Sequence, residues 1–217
     1  MKYELTDQTI EHDGRTLYRI KALKDFSDVA KDELGGFVES YDNLSQRNNC
    51  WIYGNAKVYG NAEVYGDAEV FDNAEVFDWA QIYGRAQIYG RAEVYSQAQI
   101  YGEAQIYGSA EVYDQAKVFD NAEIYYKAKI CANTIVCSDI KIPNTNDILF
   151  INLARYITFY RCEDDIRCTI GCQHAITIEE FKERVYENGN YTEVTLPKHR
   201  KDYLLAIEFA KKYFRVD

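Results

Sequence analysis

From Ile52 to Val136 every sixth residue is isoleucine or valine, fifteen times without a break. The residue after each is Tyr or Phe in thirteen successive units, Tyr53 to Tyr125, and then Cys131 and Cys137. The fifth position is Ala in thirteen units, Ala56 to Ala128, then Thr134 and Ile140. Such a register is incompatible with an α-helical face, because Ala62-Glu63-Val64-Tyr65 alternates inward and outward at the period of a strand. Gly66-Asp67 then turns the chain, since both residue types tolerate turn conformations. A period this short marks a solenoid.

Three strands and three corners close a triangular coil of eighteen residues. The fifteen units therefore predict a left-handed parallel β-helix of five coils, a rod of roughly 25 Å at the usual strand spacing. Residues eighteen apart stack. Val58, Val76, Val94, Val112 and Ile130 form one predicted interior column; Ile52, Val70, Ile88, Ile106 and Ile124 a second; Val64, Ile82, Ile100, Val118 and Val136 a third. Alanines fill the remaining interior, where larger side chains would overpack.

Open coil ends leave unpaired strand edges, so caps are expected. Residues 1–50 read as a β cap, with a hairpin about His12-Asp13-Gly14 joining Gln8–Ile10 to Leu17–Ile20. Gly35-Gly36-Phe37-Val38 and Leu44 carry degenerate repeat spacing into Trp51. The β-helix spans 51–143. Pro143–Asp147 reads as a linker, and 144–217 as a small α+β domain. In that domain Ala154–Tyr160 and Ile166–Ile170 read as a hairpin. Thr177 with Glu180 is a capping box opening a helix to about Tyr186. A second helix near Lys201–Phe214 has Leu204, Leu205, Ile207, Phe209 and Ala210 as its apolar residues.

The repeat resembles the bacterial hexapeptide-repeat superfamily. The stretch from Asp25-Phe26-Ser27-Asp28-Val29 through Leu34–Glu39 and Asn43–Gln46 to Cys50-Trp51-Ile52-Tyr53 resembles the N-terminal cap of enterobacterial and phage or prophage proteins of this kind. The tail is similar to the same group in Ile157–Arg161, Gly171-Cys172 and Thr177–Phe181. The resemblance implies the fold and a phage or prophage origin; it implies no particular activity. It also makes a homo-oligomer, trimer or dimer, an expectation.

Resembling acyltransferases depend on a histidine base at a coil surface, which must lie within reach of the acceptor hydroxyl. Related carbonic anhydrases hold zinc with three coil histidines. The histidines here, His12, His174 and His199, all lie outside the repeats, so no enzymatic activity is expected. Cys162, Cys168, Cys172 and His174 offer zinc-type donors, but C-x5-C-x3-C-x-H fits no tight zinc pattern and no metal or cofactor is expected.

The binding candidates are repetitive. Tyr59, Phe77, Tyr95 and Tyr113 stack on one face beside Glu75, Glu93 and Glu111, flanked by Lys57 and Lys129. The other faces carry Gln81 and Gln99, and Gln87 and Gln105. Outward rings protect a sheet, and they also suit a surface laid against another subunit. Stacked like charges repel, so the glutamates point to a cationic partner or to solvated charge. Arg85 and Arg91, on adjacent corners, are candidates for a small anionic ligand. With 25 basic against 35 acidic residues, a net charge of −10 argues against nucleic-acid binding. Mimicry of nucleic acid ranks lower, because the glutamine faces interrupt any continuous row of charge. No apolar run approaches a membrane span, and Met1–Leu5 lacks a signal-peptide core. With the six cysteines, that points to a reducing cytoplasm, which the resemblance makes that of a bacterial host. The expected function is a non-enzymatic binding or scaffold protein that presents terminal domains to a protein or ligand partner, with phage assembly and inhibition of host defence both open as its role. The rival readings are an acyltransferase-like enzyme and an acidic nucleic-acid mimic.

Overall fold

Each six-residue unit folds as a two-residue strand and a corner. In the computed structural model, which describes residues 1–138, 140–153, 156–161, 165–170, 173–186 and 197–215, the chain is mainly β. Three strands precede the regular repeats: β1 (Tyr3–His12), β2 (Arg15–Ala22) and β3 (Leu34–Val38). Sixteen two-residue strands follow, from β4 (Trp51–Ile52) to β19 (Lys141–Ile142), one every six residues. They pair in parallel with the strand three units on, as Val58 with Val76 and Val76 with Val94. The result is the parallel β-helix expected from the repeats, with three faces.

Hydrogen bonds run up the stack even through the corners. The amides of Asn55, Lys57 and Tyr59 donate to Asp72, Ala74 and Val76 at 3.0 Å. The third residue of every unit, from Gly54 to Ser138, has a φ between 53° and 74°. Glycine adopts that conformation without steric penalty, and aspartate is among the residues that tolerate it. Where the corner residue is Asp, its carboxylate accepts the amide of the corner one coil above: Asp72 from Gly90 at 3.1 Å, and Asp114 from Ala132 at 3.0 Å.

The interior columns hold, and each gains one residue. Val38 joins Val58 through the parallel pair β3–β5, Leu44 bridges Val64, and Ile142 pairs with Ile124. Six layers stack rather than five. The regular boundary at residue 51 thus falls inside the first coil. Val38 to Val58 spans twenty residues, because the segment Ser45–Cys50 inserts two into that coil. All these aliphatics and the repeat alanines are inaccessible or nearly so. Gly35 and Gly36 are needed at the entry: a Cβ on either would sit 2.5–2.7 Å from Ile52, Trp51 or Ala56 atoms.

The β1–β2 hairpin turns at Asp13-Gly14, both at positive φ, as a two-residue hairpin loop requires. It folds back over the coils, where Leu17 packs with Phe37 and Tyr59, and Ile10 and Phe77 border them. At the other end β20 (Ile148–Asn152), β21 (Tyr156–Arg161), β22 (Ile166–Ile170) and β23 (Gln173–Thr177) form an antiparallel sheet. Helices α1 (Ile178–Tyr186) and α2 (Pro197–Phe214) bury Phe181, Val185, Tyr203, Ile207 and Phe214 with Ile157, Phe159 and Cys168 of the sheet. Thr177 and Glu180 exchange the capping-box bonds at 2.8 and 3.1 Å. Tyr160, also on β21, belongs instead to the β-helix core, so the sheet lids the last coil. The segment read as a linker packs on that coil too, with Thr145 Oγ1 accepting the Lys129 amide at 3.1 Å.

Candidate functional site

On the first face β5 (Lys57–Val58), β8 (Glu75–Val76), β11 (Glu93–Val94), β14 (Glu111–Val112) and β17 (Lys129–Ile130) set Lys57, Glu75, Glu93, Glu111 and Lys129 in one in-register column. The ends neutralise each other. Lys57 Nζ lies 2.8 Å from Glu75 Oε1, and Lys129 Nζ 2.7 Å from Glu111 Oε1. Burial pushes the Glu75 pKa up, but the bond and charge of Lys57, with those of His12, outweigh it and hold the carboxyl below its ordinary range. Glu93 sits between two carboxylates. Burial, then Glu111 and Glu75, raise its pKa.

The rings beside this column stack nearly parallel. Tyr59, Phe77, Tyr95 and Tyr113 lie 4.9–5.1 Å apart, centroid to centroid, with planes within 5°. The other two faces repeat the arrangement, as in Tyr83–Tyr101 and Tyr89–Tyr107. Burial and the neighbouring Glu75 and Asp13 raise the Tyr59 pKa, so its hydroxyl stays protonated as a donor. Amide and carboxylate ladders run alongside the rings: Gln99 donates to Gln81 at 3.1 Å, and Gln87 to Glu69 at 2.9 Å.

The hairpin covers the lower half of the first face. His12 Nε2 lies 3.0 Å from Glu75 Oε2, and its ring meets Tyr59 edge-on at 5.3 Å. A histidine outside the repeats therefore reaches a coil surface. No local pattern announces a contact sixty-three residues apart. Arg85 pairs with Glu103 on its own edge at 2.8 Å, whereas Arg91 occupies the next corner of the chain. Of the cysteine and histidine donors, Cys162 and Cys172 lie outside the described residues, as does the His174 side chain. Cys168 is buried against the helices, and burial drives its thiol pKa far up. Among the described residues no group of three or more metal-ligating side chains is gathered.

A second surface, at α2, was not separated in the sequence. Tyr203, Ala206, Ile207, Ala210 and Phe214 face inward. Leu205, Phe209 and Tyr213, at i, i+4 and i+8, point out and are 51, 55 and 40 % exposed. Leu205 and Phe209, apolar in the sequence like Ile207 and Ala210, lie on a different stripe of the helix. The outer stripe borders a groove of about 430 Å³ lined by Leu149, Ile151 and Leu153. No protein-family model matches the chain, and no curated protein matches it in sequence. Among the described residues no helix is long and apolar enough to cross a membrane.

Proposed function

We propose that this is a non-enzymatic binding or scaffold protein of phage or prophage type, acting in the host cytoplasm, whose stiff β-helix presents a terminal surface to a protein partner. Inhibition of a host defence protein is the role that suits such a design. One observation carries the reading: the exposed stripe Leu205, Phe209 and Tyr213 beside the groove under Leu149 and Ile151. Contiguous exposed apolar surface of this kind marks contacts. Exposed Lys201, Asp202, Glu208 and Lys212 border it with both signs of charge. A mixed rim suits a protein surface better than phosphate or an anionic bilayer, which select for uniform positive charge.

Binding by the full-length chain should be compared with that of the Leu205→Glu/Phe209→Glu double variant and of Glu93→Gln. The expected result is a host protein that binds the wild type and Glu93→Gln when purified, with at least tenfold weaker binding to the double variant. Equal binding to all three moves specificity onto the coils and overturns the reading.

The His12–Glu75 contact favours a second reading, an acyltransferase-like enzyme with an unconventional base. It ranks below the first because Nε2 is engaged by Glu75 and the ring is packed on Tyr59, which makes His12 an anchor for the hairpin. Turnover of acyl-CoA by the wild type, lost in His12→Gln, would reverse that order.

A further inference from the structure

Lys2 is 2 % exposed, and among the described residues its amine is bonded to backbone carbonyls and a thiol, with Asp67 and Lys24 acting on it only through their charge. Its Nζ donates to the Cys50 carbonyl at 2.7 Å and approaches the Asn48 carbonyl at 3.5 Å. The Phe26 ring lies 5.1 Å away. Beside them lies the thiol of Cys50, itself fully buried, with Sγ 3.3 Å from Nζ. We propose that Lys2 and Cys50 form an oxidisable pair, which hydrogen peroxide converts to a reversible sulfur–nitrogen cross-link tying β1 to the first coil.

The chemistry balances. Peroxide oxidises the thiol to a sulfenic acid and leaves as water. The Nζ lone pair then attacks sulfur, the sulfur–oxygen bond breaks, and the hydroxide takes a proton from nitrogen as a second water. Sulfur loses two electrons and peroxide gains them. Sulfenic acids condense with nitrogen in this way. Attack needs an unprotonated amine, and burial lowers the pKa of Lys2 accordingly. Burial also raises the pKa of the Cys50 thiol, which slows its own oxidation. The charge and hydrogen bond of Lys2 work against that rise without cancelling it.

Full-length protein should be treated with hydrogen peroxide, digested with trypsin and mapped by mass spectrometry, with and without later dithiothreitol. We expect cleavage after Lys2 to be lost. A joined Lys2–Cys50 peptide, lighter by two hydrogens, should appear, and dithiothreitol should reverse both changes. Treated wild type should melt higher than untreated protein; Cys50→Ser and Lys2→Arg should not. Circular dichroism of the two variants separates a missing cross-link from a missing fold. Four results overturn the proposal: Cys50 carrying only sulfinic or sulfonic acid, Cys50 unreacted while half-exposed Cys131 oxidises, Cys50 found only in disulfides, or a joined peptide that keeps an added oxygen.

Discussion

The hydroxyl of Tyr107 donates to the carboxylate of Glu123 across 3.0 Å, sixteen residues on and one coil up. Tyr89 reaches Gln105 by the same step at 3.0 Å, and Tyr59 reaches Glu75 at 3.4 Å. Each tyrosine therefore braces two coils twice, by its ring and by its hydroxyl. Tyr107→Phe removes the hydroxyl and keeps the stack on Tyr89 and Tyr125. Its expected cost is about 0.5–1.5 kcal/mol, read by chemical denaturation. Tyr107→Ser removes both braces and should cost more than Tyr107→Phe by at least the about 0.5–1.5 kcal/mol of a ring pair.

Corners differ in what they tolerate. A Cβ on Gly102 would lie 2.7 Å from the backbone nitrogen of Asp120, whereas one on Gly54 meets nothing nearer than 3.6 Å. Both residues have positive φ, at 72° and 60°. Gly54→Ala should cost only the left-handed conformation, about 1–2 kcal/mol. Gly102→Ala must also push the corner above it away, and should melt lower than Gly54→Ala. Equal melting temperatures would show that the stack yields freely at its corners.

Glu75 and Glu93 occupy equivalent positions, yet opposite effects are expected. Glu75 has a folded pKa below the ordinary 4.5, so the native state binds fewer protons than the unfolded chain across that window. Its stabilisation is present above the ordinary carboxylate pKa and is lost as pH falls through the folded value. Glu93 has a raised folded pKa, so its contribution falls as pH rises through that range. At neutral pH Glu75→Gln should destabilise by about 1 kcal/mol, and Glu93→Gln should stabilise by a few tenths (about 0.3 kcal/mol). Thermal melts at neutral pH and near pH 3 check both, because the two differences should shrink in acid.

What could be read from the residues follows from how local each signal is. The columns Val58–Ile130, Ile52–Ile124 and Val64–Val136 repeat at one spacing, so five of the six layers were legible. The first layer was blurred because its insertion at Ser45–Cys50 breaks the spacing between Leu44 and Ile52. The capping box at Thr177 is also a local pattern, and it forms. The seat of His12 on Glu75 depends on how the hairpin folds back, which no short-range pattern encodes. Leu205 and Phe209 look like core by composition. Only the position of the C-terminal sheet decides which stripe of α2 is covered.

Tyr160 makes the C-terminal sheet part of the rod rather than an appendage. It is fully buried in the β-helix core, its hydroxyl is 2.7 Å from Thr169 Oγ1, and it accepts the Ala175 amide at 3.1 Å. Removing residues 148–217 would therefore uncover the top coil with its open strand edges, a surface that pairs with other chains. The truncated protein should aggregate at concentrations where the full chain stays dispersed, as light scattering would report. Within the intact chain, Tyr160→Ala should cost about 3–5 kcal/mol through the cavity it leaves. Tyr160→Phe keeps the ring and gives up two hydrogen bonds, so its cost should stay near about 1–3 kcal/mol. A truncated rod that remains monomeric and melts like the full chain would show that the last coil needs no lid.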